Sequence, residues 1–446
     1  MSGHGPHQAD RLLALPIRGE SFLLQREAHT ILVDGGYKSD RVAPVLRSLP
    51  TPIERLDVVV CTHGDRDHAG GLVDLLGDRD IDIGELWLPG RWADVVPELI
   101  QNPKAFVDRL ITELDETEDG SLREIVGVDD SDTFEAAMFG HIHDQRSRAF
   151  LPPDRAREPE SSDIRGIRPD LVAEDGEPID FDATDHGAEP AWFASLRHEF
   201  SRRDDAGAPR AAFRSGRQRV QYRRRRTWIG RPAIQFWLEL MDTAEAIRGI
   251  ADYAIRRQLG VRWFDFHEFS RTRQRRGGIR NFLIPLNAVE QAPPPQMALS
   301  YIARLTPINE ECLAFLAPPS WHRLGVVFCG DSPMGDGEKY KNSFLADEVR
   351  LDTWLPVVAT APHHGSESNA CAYQHVGAWA NVCVWLRAGG SAKQPGPTFQ
   401  ALDFPHRVCS KCPQSGKRPA LAVVASSLGW IYCCPLMVLG HVCDCR

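Results

Sequence analysis

No secretory leader is visible at the start of the 446-residue chain. "MSGHGPHQADRLLALPIRGE" lacks a basic start followed by an apolar core. The eleven cysteines therefore read as reduced thiols of a cytoplasmic protein, not as a disulfide framework. An unbroken apolar run is missing too. "ALAVVASSLGWIYCCPLMVLG", from Ala420 to Gly440, carries no charge over about the length of a membrane span. Gly429 and Pro435 break it, and serines and cysteines dilute it, so two buried strands joined by a turn are expected and no membrane contact. Net positive charge is absent, the formal balance being -9. That excludes a globally basic nucleic-acid binder and leaves only local patches to consider. No internal repeat is evident, which argues against a repeat array.

What is present is ordinary for a globular chain, 42% hydrophobic and 25% charged residues, enough to bury a sizeable core. The length allows two or three domains, or one large α/β domain with a long insertion. "SFLLQREAHTILVDGG" predicts two strands, the second ending at Asp34-Gly35-Gly36. "RVAPVLRSLP" predicts a helix, "RLDVVVCTH" a strand, "AGGLVDLLGD" a helix and "IGELWLP" a strand, the order of an α/β sandwich. Between Pro97 and Gln296 the texture changes: acidic segments give way to the basic "RRDDAGAPRAAFRSGRQRVQYRRRR" and "SRTRQRRGGIR". A helix and then a strand are expected between these two basic segments, within a partly flexible insertion. Beyond it, "ALSYIARLTP", "ECLAFLAPP", "RLGVVFCGD", "LPVVATAPHHGS" and "NVCVWLRAGG" predict strands and "NSFLADEVRLDTW" a helix. The expected organisation is residues 1–96 and 297–405 as two parts of one domain, 97–296 as the insertion, and 406–446 as a Cys-rich C-terminal tail.

"CTHGDRDHAGG" packs His63, Asp65, Asp67 and His68 after an apolar strand. Imidazole and carboxylate together suit zinc, manganese or iron. The spacing sends His63 and Asp65 toward one ion, Asp67 and His68 toward another, while Gly70 and Gly71 let a helix start close by without a Cβ clash. Two later strand ends carry the same residue types: Asp331 in "VVFCGD", and His363 and His364 in "VVATAPHHGSESN". In an α/β protein, strand carboxyl ends on one edge converge on the active crevice.

These motifs resemble the metallo-β-lactamase superfamily, an αββα sandwich of binuclear metallohydrolases. The usual His-x-His-x-Asp-His fingerprint appears with Asp65 in place of the second histidine, which is similar to the ComEC-type branch, whose hydrolase domain accompanies bacterial DNA uptake. "ILVDGG" with Asp34, "LTPINEECLAFL" with Asn309, "FCGDS" and "APHHGSESN" follow in that branch's order. The resemblance spans roughly 8–95 and 297–405. It implies two divalent ions, zinc or manganese, held by His63, Asp65, Asp67, His68, Asp331 as the bridging residue, and His363, with His364 as the competing assignment. It implies attack on a phosphodiester, with Asp67 orienting the nucleophile and His364 protonating the leaving oxygen. Anionic Asp65 tilts metal choice from zinc toward manganese. The superfamily's further histidine is not placed; His141 and His143 are candidates within the insertion, where surface histidines are the simpler reading. The branch's Gly-His-Pro segment, expected near "AGGSAKQPGP", lacks its histidine.

Two features lie outside the resemblance. The basic segments 198–233 and 271–280, with Tyr222 and Trp228 interleaved among arginines, could guide nucleic acid, or simply pair with the acidic segments. Cys409 and Cys412 have the two-residue gap of a zinc knuckle, for which a second pair must come from Cys433, Cys434, His441, Cys443 or Cys445. The insertion or the tail could also dock a protein partner. The leading expectation is a metal-dependent phosphodiesterase or nuclease; a hydrolase of small esters, thioesters or peptides and a non-enzymatic scaffold are the alternatives.

Overall fold

The computed structural model describes residues 10–119, 123–150, 171, 179, 189–201, 207–223, 229–292, 299–320, 323–346, 351, 355–391, 393–403, 406–411, 421–426 and 429–433. In chain order its strands are β1 (Arg11–Ala14), β2 (Phe22–Arg26), β3 (His29–Val33), β4 (Arg55–Val60), β5 (Asp82–Pro89), β6 (Gly260–Asp265), β7 (Ile284–Pro285) and β8 (Val289–Glu290). After them come β9 (Phe315–Ala317), β10 (Gly325–Phe328), β11 (Gly335–Asp336), β12 (Asn342–Ser343), β13 (Val357–Thr360), β14 (Val382–Arg387), β15 (Arg407–Cys409), β16 (Leu421–Ser426) and β17 (Gly429–Cys433). Among the described residues they build a nine-stranded sheet ordered β17-β16-β1-β2-β3-β4-β5-β6-β8, a six-stranded sheet ordered β15-β14-β13-β10-β9-β7, and the small β11-β12 pair.

Strand alternation assigns the two faces of each sheet. Leu12, Ala14, Ile31, Val33, Val58 and Val60 point inward and meet Phe315, Val326, Phe328, Val358 and Leu386 of the opposite sheet in one core. Their neighbours Leu13, Leu32 and Val59 point outward against helices. On the outer face of the second sheet, Val327, Val357, Ala359 and Trp385 pack against residues of the Ala370–Trp379 helix. The layers are therefore helix, sheet, sheet, helix, the αββα sandwich expected.

Segment 97–296 is woven into this framework. β5 and β6 are parallel neighbours, with Pro89 opposite Phe264, so residues 90–259 form one long crossover between adjacent parallel strands. The Arg231–Arg256 helix buries Ile234, Trp237, Leu240, Met241, Ala244, Ile247 and Ile250 against the outer face of the first sheet. The change of sequence texture at Pro97 thus does not mark an exit from the sheet. It marks the point where half-buried strands give way to amphipathic helices, whose polar faces resemble a solvated insertion in composition.

Two local expectations fail. "ALSYIARLTP" is not a strand but contains a helix, Tyr301–Leu305, because Ser300 Oγ accepts from Ala303 N at 3.2 Å and the Glu113 carboxylate accepts from Tyr301 N and Ile302 N. Five residues carry too little periodicity to separate the two states, and the N-cap decides. The described start of "NSFLADEVRLDTW" is β12 rather than a helix, with Phe344 packed on Phe266 and Phe269 at ring separations of 5.7 and 5.5 Å, while its residues 347–350 and 352–354 lie outside the described residues. The run Ala420 to Gly440 contains the antiparallel hairpin β16-β17, continuing the sheet from β1. No helix among the described residues is long and apolar enough to cross a membrane.

Candidate metal centre

Because β3, β4, β5 and β6 run parallel in one sheet, and β10, β13 and β14 in the other, their carboxyl ends lie on a common edge. Asp34 follows β3, His63 to His68 follow β4, Asp331 follows β10, and His363 and His364 follow β13. The loop after β4 turns tightly onto the loop after β3. Gly71 N donates to Gly36 O at 2.8 Å, and a Cβ at Gly71 would lie 2.0 Å from Gly35 O. The glycines in "HAGG" are there for this close approach, as expected.

Asp34 is the hinge of the proton arrangement. It sits at φ 61°, and its carboxylate accepts from Thr62 N at 2.8 Å, from Thr62 Oγ1 at 2.7 Å and from His68 Nδ1 at 2.8 Å. The Thr62 hydroxyl spends its single proton on Asp34. Toward His63 Nδ1, 3.0 Å away, it can only accept. Both imidazoles therefore carry a proton on Nδ1 and turn Nε2 inward. His63 Nε2 lies 3.3 Å from Asp65 Oδ2 and 3.5 Å from Asp331 Oδ2, while His68 Nε2 lies 3.2 Å from Asp331 Oδ1. Asp331 thus stands between the two rings, one oxygen to each.

His364 is buried, with Nδ1 3.0 Å from Ala388 O, an oxygen that can only accept. Its Nε2 faces Asp67 Oδ2 at 3.0 Å. Glu20 Oε2 lies 3.3 Å from His364 Nδ1. Two groups of potential ligands result among the described residues: Glu20, His68, Asp331 and His364, all buried, and His63, Asp65 and Asp331. Asp67 joins the first through His364. His363 is further out, its side chain 29% exposed, with Nε2 3.6 Å from Asp331 Oδ2 and Nδ1 3.1 Å from Asn309 Nδ2. Of the two histidines that compete for the ligand place, His364 lies in the deep group and His363 at the rim.

Glu20 is the residue the sequence reading missed. It precedes β2, and the antiparallel register that sets Phe22 opposite Val33 brings it beside the end of β3. Gly36 N donates to its backbone oxygen at 2.9 Å. The signal was a charged residue directly before the apolar run "SFLL", but no ligand spacing marks it.

Electrostatics and orphaned atoms test whether this donor set fits a cation. Burial opposes charge on His63 and His68, yet Cys312, Asp65 and Asp331 around the first and Asp331 and Asp34 around the second push both well above the ordinary histidine range. Burial likewise opposes charge on His364, but Asp67, Glu20 and Asp331 lift it to about 10. Burial would raise Asp331, and His363, His68 and His63 hold it well below the usual carboxylate range. The pocket attracts positive charge. Glu20 Oε2, His63 Nε2, His68 Nε2 and Asp331 Oδ1 are buried and have no hydrogen-bond partner. Such atoms are costly unless something bonds them. A nitrogen-and-carboxylate set of this kind fits divalent zinc, manganese or iron.

Residues 16–129 match the family model of the metallo-beta-lactamase superfamily. The match covers β2 to β5, the whole metal loop and the first helices of the long crossover, and the αββα layers agree with that fold. A metallo-beta-lactamase domain with a buried His/Asp/Glu cluster points to a metal-dependent hydrolase. No curated protein matches the chain. His141 and His143, in the Ser131–Phe150 helix, are in neither ligand group; His141 Nε2 lies 2.8 Å from Gln145 Nε2. Cys409 Sγ accepts from Arg387 Nη1 and Lys411 N at 3.3 and 3.2 Å and also joins neither group. Cys433 ends β17. Cys412, Cys434, His441, Cys443, Cys445 and Trp228 lie outside the described residues.

The Asp34 network yields a prediction. Asn tolerates the left-handed backbone at position 34, so Asp34→Asn keeps the loop but removes one acceptor from Thr62 and His68. Metal affinity, read by competition with a chelating dye, is expected to fall ~10- to 100-fold with an unchanged circular dichroism spectrum. Unaltered affinity would show that Asp34 does not set the ring orientations.

Proposed function

We propose that the chain is a two-ion metallohydrolase of phosphodiesters, acting as a nuclease. The observation that supports this reading is Asp331, whose two carboxylate oxygens face two separate ligand groups. His63, Asp65 and Asp331 would hold one ion; Asp331, His68, His364 and Glu20, with Asp67 beside His364, would hold the other. When bound, a pair of divalent ions supplies an activated water and neutralises charge on the phosphoryl oxygens. The protein's own residues do the rest. Asp34 and Thr62 fix the two imidazoles, and Ala388 O fixes His364. Asp67, on the exposed side of His364, orients the attacking water. His363, at the rim beside Asn309, delivers a proton to the leaving oxygen. The carboxylate-rich set, with Asp65 and Glu20, favours manganese over zinc and an anionic diester whose charge the ions balance.

The deciding experiment measures metal content, then hydrolysis of single- and double-stranded DNA, RNA and a chromogenic small diester with Mn²⁺ and Zn²⁺, beside Asp67→Ala. Cleavage of a nucleic acid that Asp67→Ala loses is expected. Hydrolysis confined to a carboxylic ester would sink the phosphodiester reading, and a chain that takes up no metal would sink the metallohydrolase reading as well.

A further inference from the structure

The Gly207–Arg223 helix spends its two faces differently. Ala212, Phe213, Gly216 and Val220 are buried, and Arg219 and Arg223 bond Asp108 and Asp115 of the Pro103–Asp119 helix. The basic segment thus partly pairs with an acidic one, but not on the other face. Arg210, Arg214, Arg217, Gln218 and Gln221, spaced as one helical face, line a cleft of about 1220 Å³. Its lining also includes Gly64 and Arg66, interleaved with the candidate ligands His63, Asp65 and Asp67, Gly70 just after them, and Lys38 and Arg79. The volume exceeds the ~300–1,000 Å³ of an ordinary small-ligand pocket.

Charge in the cleft is only partly neutralised. Arg66 and Arg217 pair with Asp242, and Arg248 and Arg256 with Asp252. Lys38, Arg79, Arg210 and Arg214 are exposed and form no ion pair among the described residues; Asp74 is on the wall with them. Four unpaired cations in one concave surface of a chain whose formal charge is -9 repel one another, and a cleft focuses that field toward an anion.

We infer that this cleft binds the sugar-phosphate backbone of a nucleic-acid strand alongside the metal loop, with Lys38, Arg79, Arg210 and Arg214 as the phosphate contacts. The inference rests on the phosphodiester reading for what the bound strand is there for, not for the binding itself. Spaced guanidinium groups suit successive phosphates, and the groove-like, multi-arginine lining suits a backbone rather than a single phosphate.

The test is equilibrium binding of fluorescein-labelled oligonucleotides to the full chain by anisotropy, with single-stranded DNA, RNA and duplex arms, over a salt series. R79E/R210E/R214E is expected to bind at least ~10-fold more weakly, with a salt slope shallower by about two or three and an unchanged melting temperature. Arg271→Glu, in the other basic segment and paired with Glu268, is expected to stay within about twofold of wild type. Wild-type protein that binds no oligonucleotide at about 50 mM salt, a triple variant equal to wild type, or an equal loss at Arg271→Glu would each overturn the inference. Binding of polyglutamate in place of every oligonucleotide would overturn it in favour of an acidic protein. Small-diester hydrolysis by wild type reads the metal centre separately, so failure of the cleft and failure of the hydrolase reading are distinguishable.

Discussion

Asp331→Asn is expected to lower the hydrolysis rate on the order of a thousandfold and to strip metal from both ligand groups at once. The backbone around Asp331 is pinned independently of its side chain: its N donates to Cys312 Sγ at 3.1 Å, and its carbonyl accepts from Asn369 Nδ2 at 2.6 Å. Gly330 before it stands at φ 50°. The substitution therefore changes chemistry with little change of shape. One carboxylate oxygen becomes an amide that donates, and it faces either His63 Nε2 or His68 Nε2. The negative charge that balances His63, His68 and His363 disappears in the same step. Metal content by mass spectrometry should fall for both ions together, whereas Asp65→Asn, which touches only the His63 group, should spare the deeper one. A variant of Asp331 that retained two ions and a rate within twofold of wild type would refute the shared-carboxylate arrangement.

The contrast between what the sequence disclosed and what it withheld follows from how the centre is assembled. His63, Asp65, Asp67 and His68 lie within six residues, in the turn after β4 and the short Arg66–Ala69 helix, and Asp331, His363 and His364 each follow an apolar strand. Local spacing and strand polarity suffice to bring such residues together. Glu20 has neither mark, for it enters only because β2 runs antiparallel to β3 and starts where β3 ends. Which of His363 and His364 lies deeper is equally invisible in "PHHG". Both have left-handed backbone, at φ 47° and 54°, and which ring turns inward is settled by Ala388 O, on the loop after the next strand. The long crossover was legible as helix and strand but not as part of the sheet. Parallel pairing of β5 with β6 across residues 90–259 leaves no trace in either strand alone. The arginine cleft is the same kind of fact. The sequence displays basic residues, but only the fold shows that Arg219 and Arg223 are neutralised while Arg210 and Arg214 face the metal loop.

Replacing Glu311 by glutamine is expected to cost about 3–5 kcal/mol of stability at neutral pH, the largest effect on the fold itself. Glu311 is buried and accepts from Arg91, in the turn after β5, and from Arg146 Nη1 at 2.7 Å, in the Ser131–Phe150 helix. The same guanidinium groups also hold Ala303 O, Arg304 O and Thr306 O, so one carboxylate ties the crossover to the segment after the Tyr301–Leu305 helix. Burial would raise Glu311, but Arg146, Arg91 and His267 outweigh it and draw it down to about 2 from an ordinary 4.5. Arg146 is shifted against its own charge: burial, with Arg91 beside it, lowers it to about 9. The net worth of the pair is therefore smaller than the Glu311 shift alone indicates. Removing one partner still leaves the buried Arg146 and the half-buried Arg91 without their counter-charge, and that asymmetry makes the single substitution severe. A carboxyl whose folded value is depressed contributes stability that is complete above its unfolded value and is lost as pH falls through the folded one. The advantage of wild type over Glu311→Gln should accordingly be full above pH 4.5 and shrink toward pH 2, where protonated Glu311 and Gln become alike. Denaturation midpoints of the two proteins measured between pH 7 and pH 3 read this directly. A gap that does not narrow with acid would mean that Glu311 acts through packing rather than through its charge.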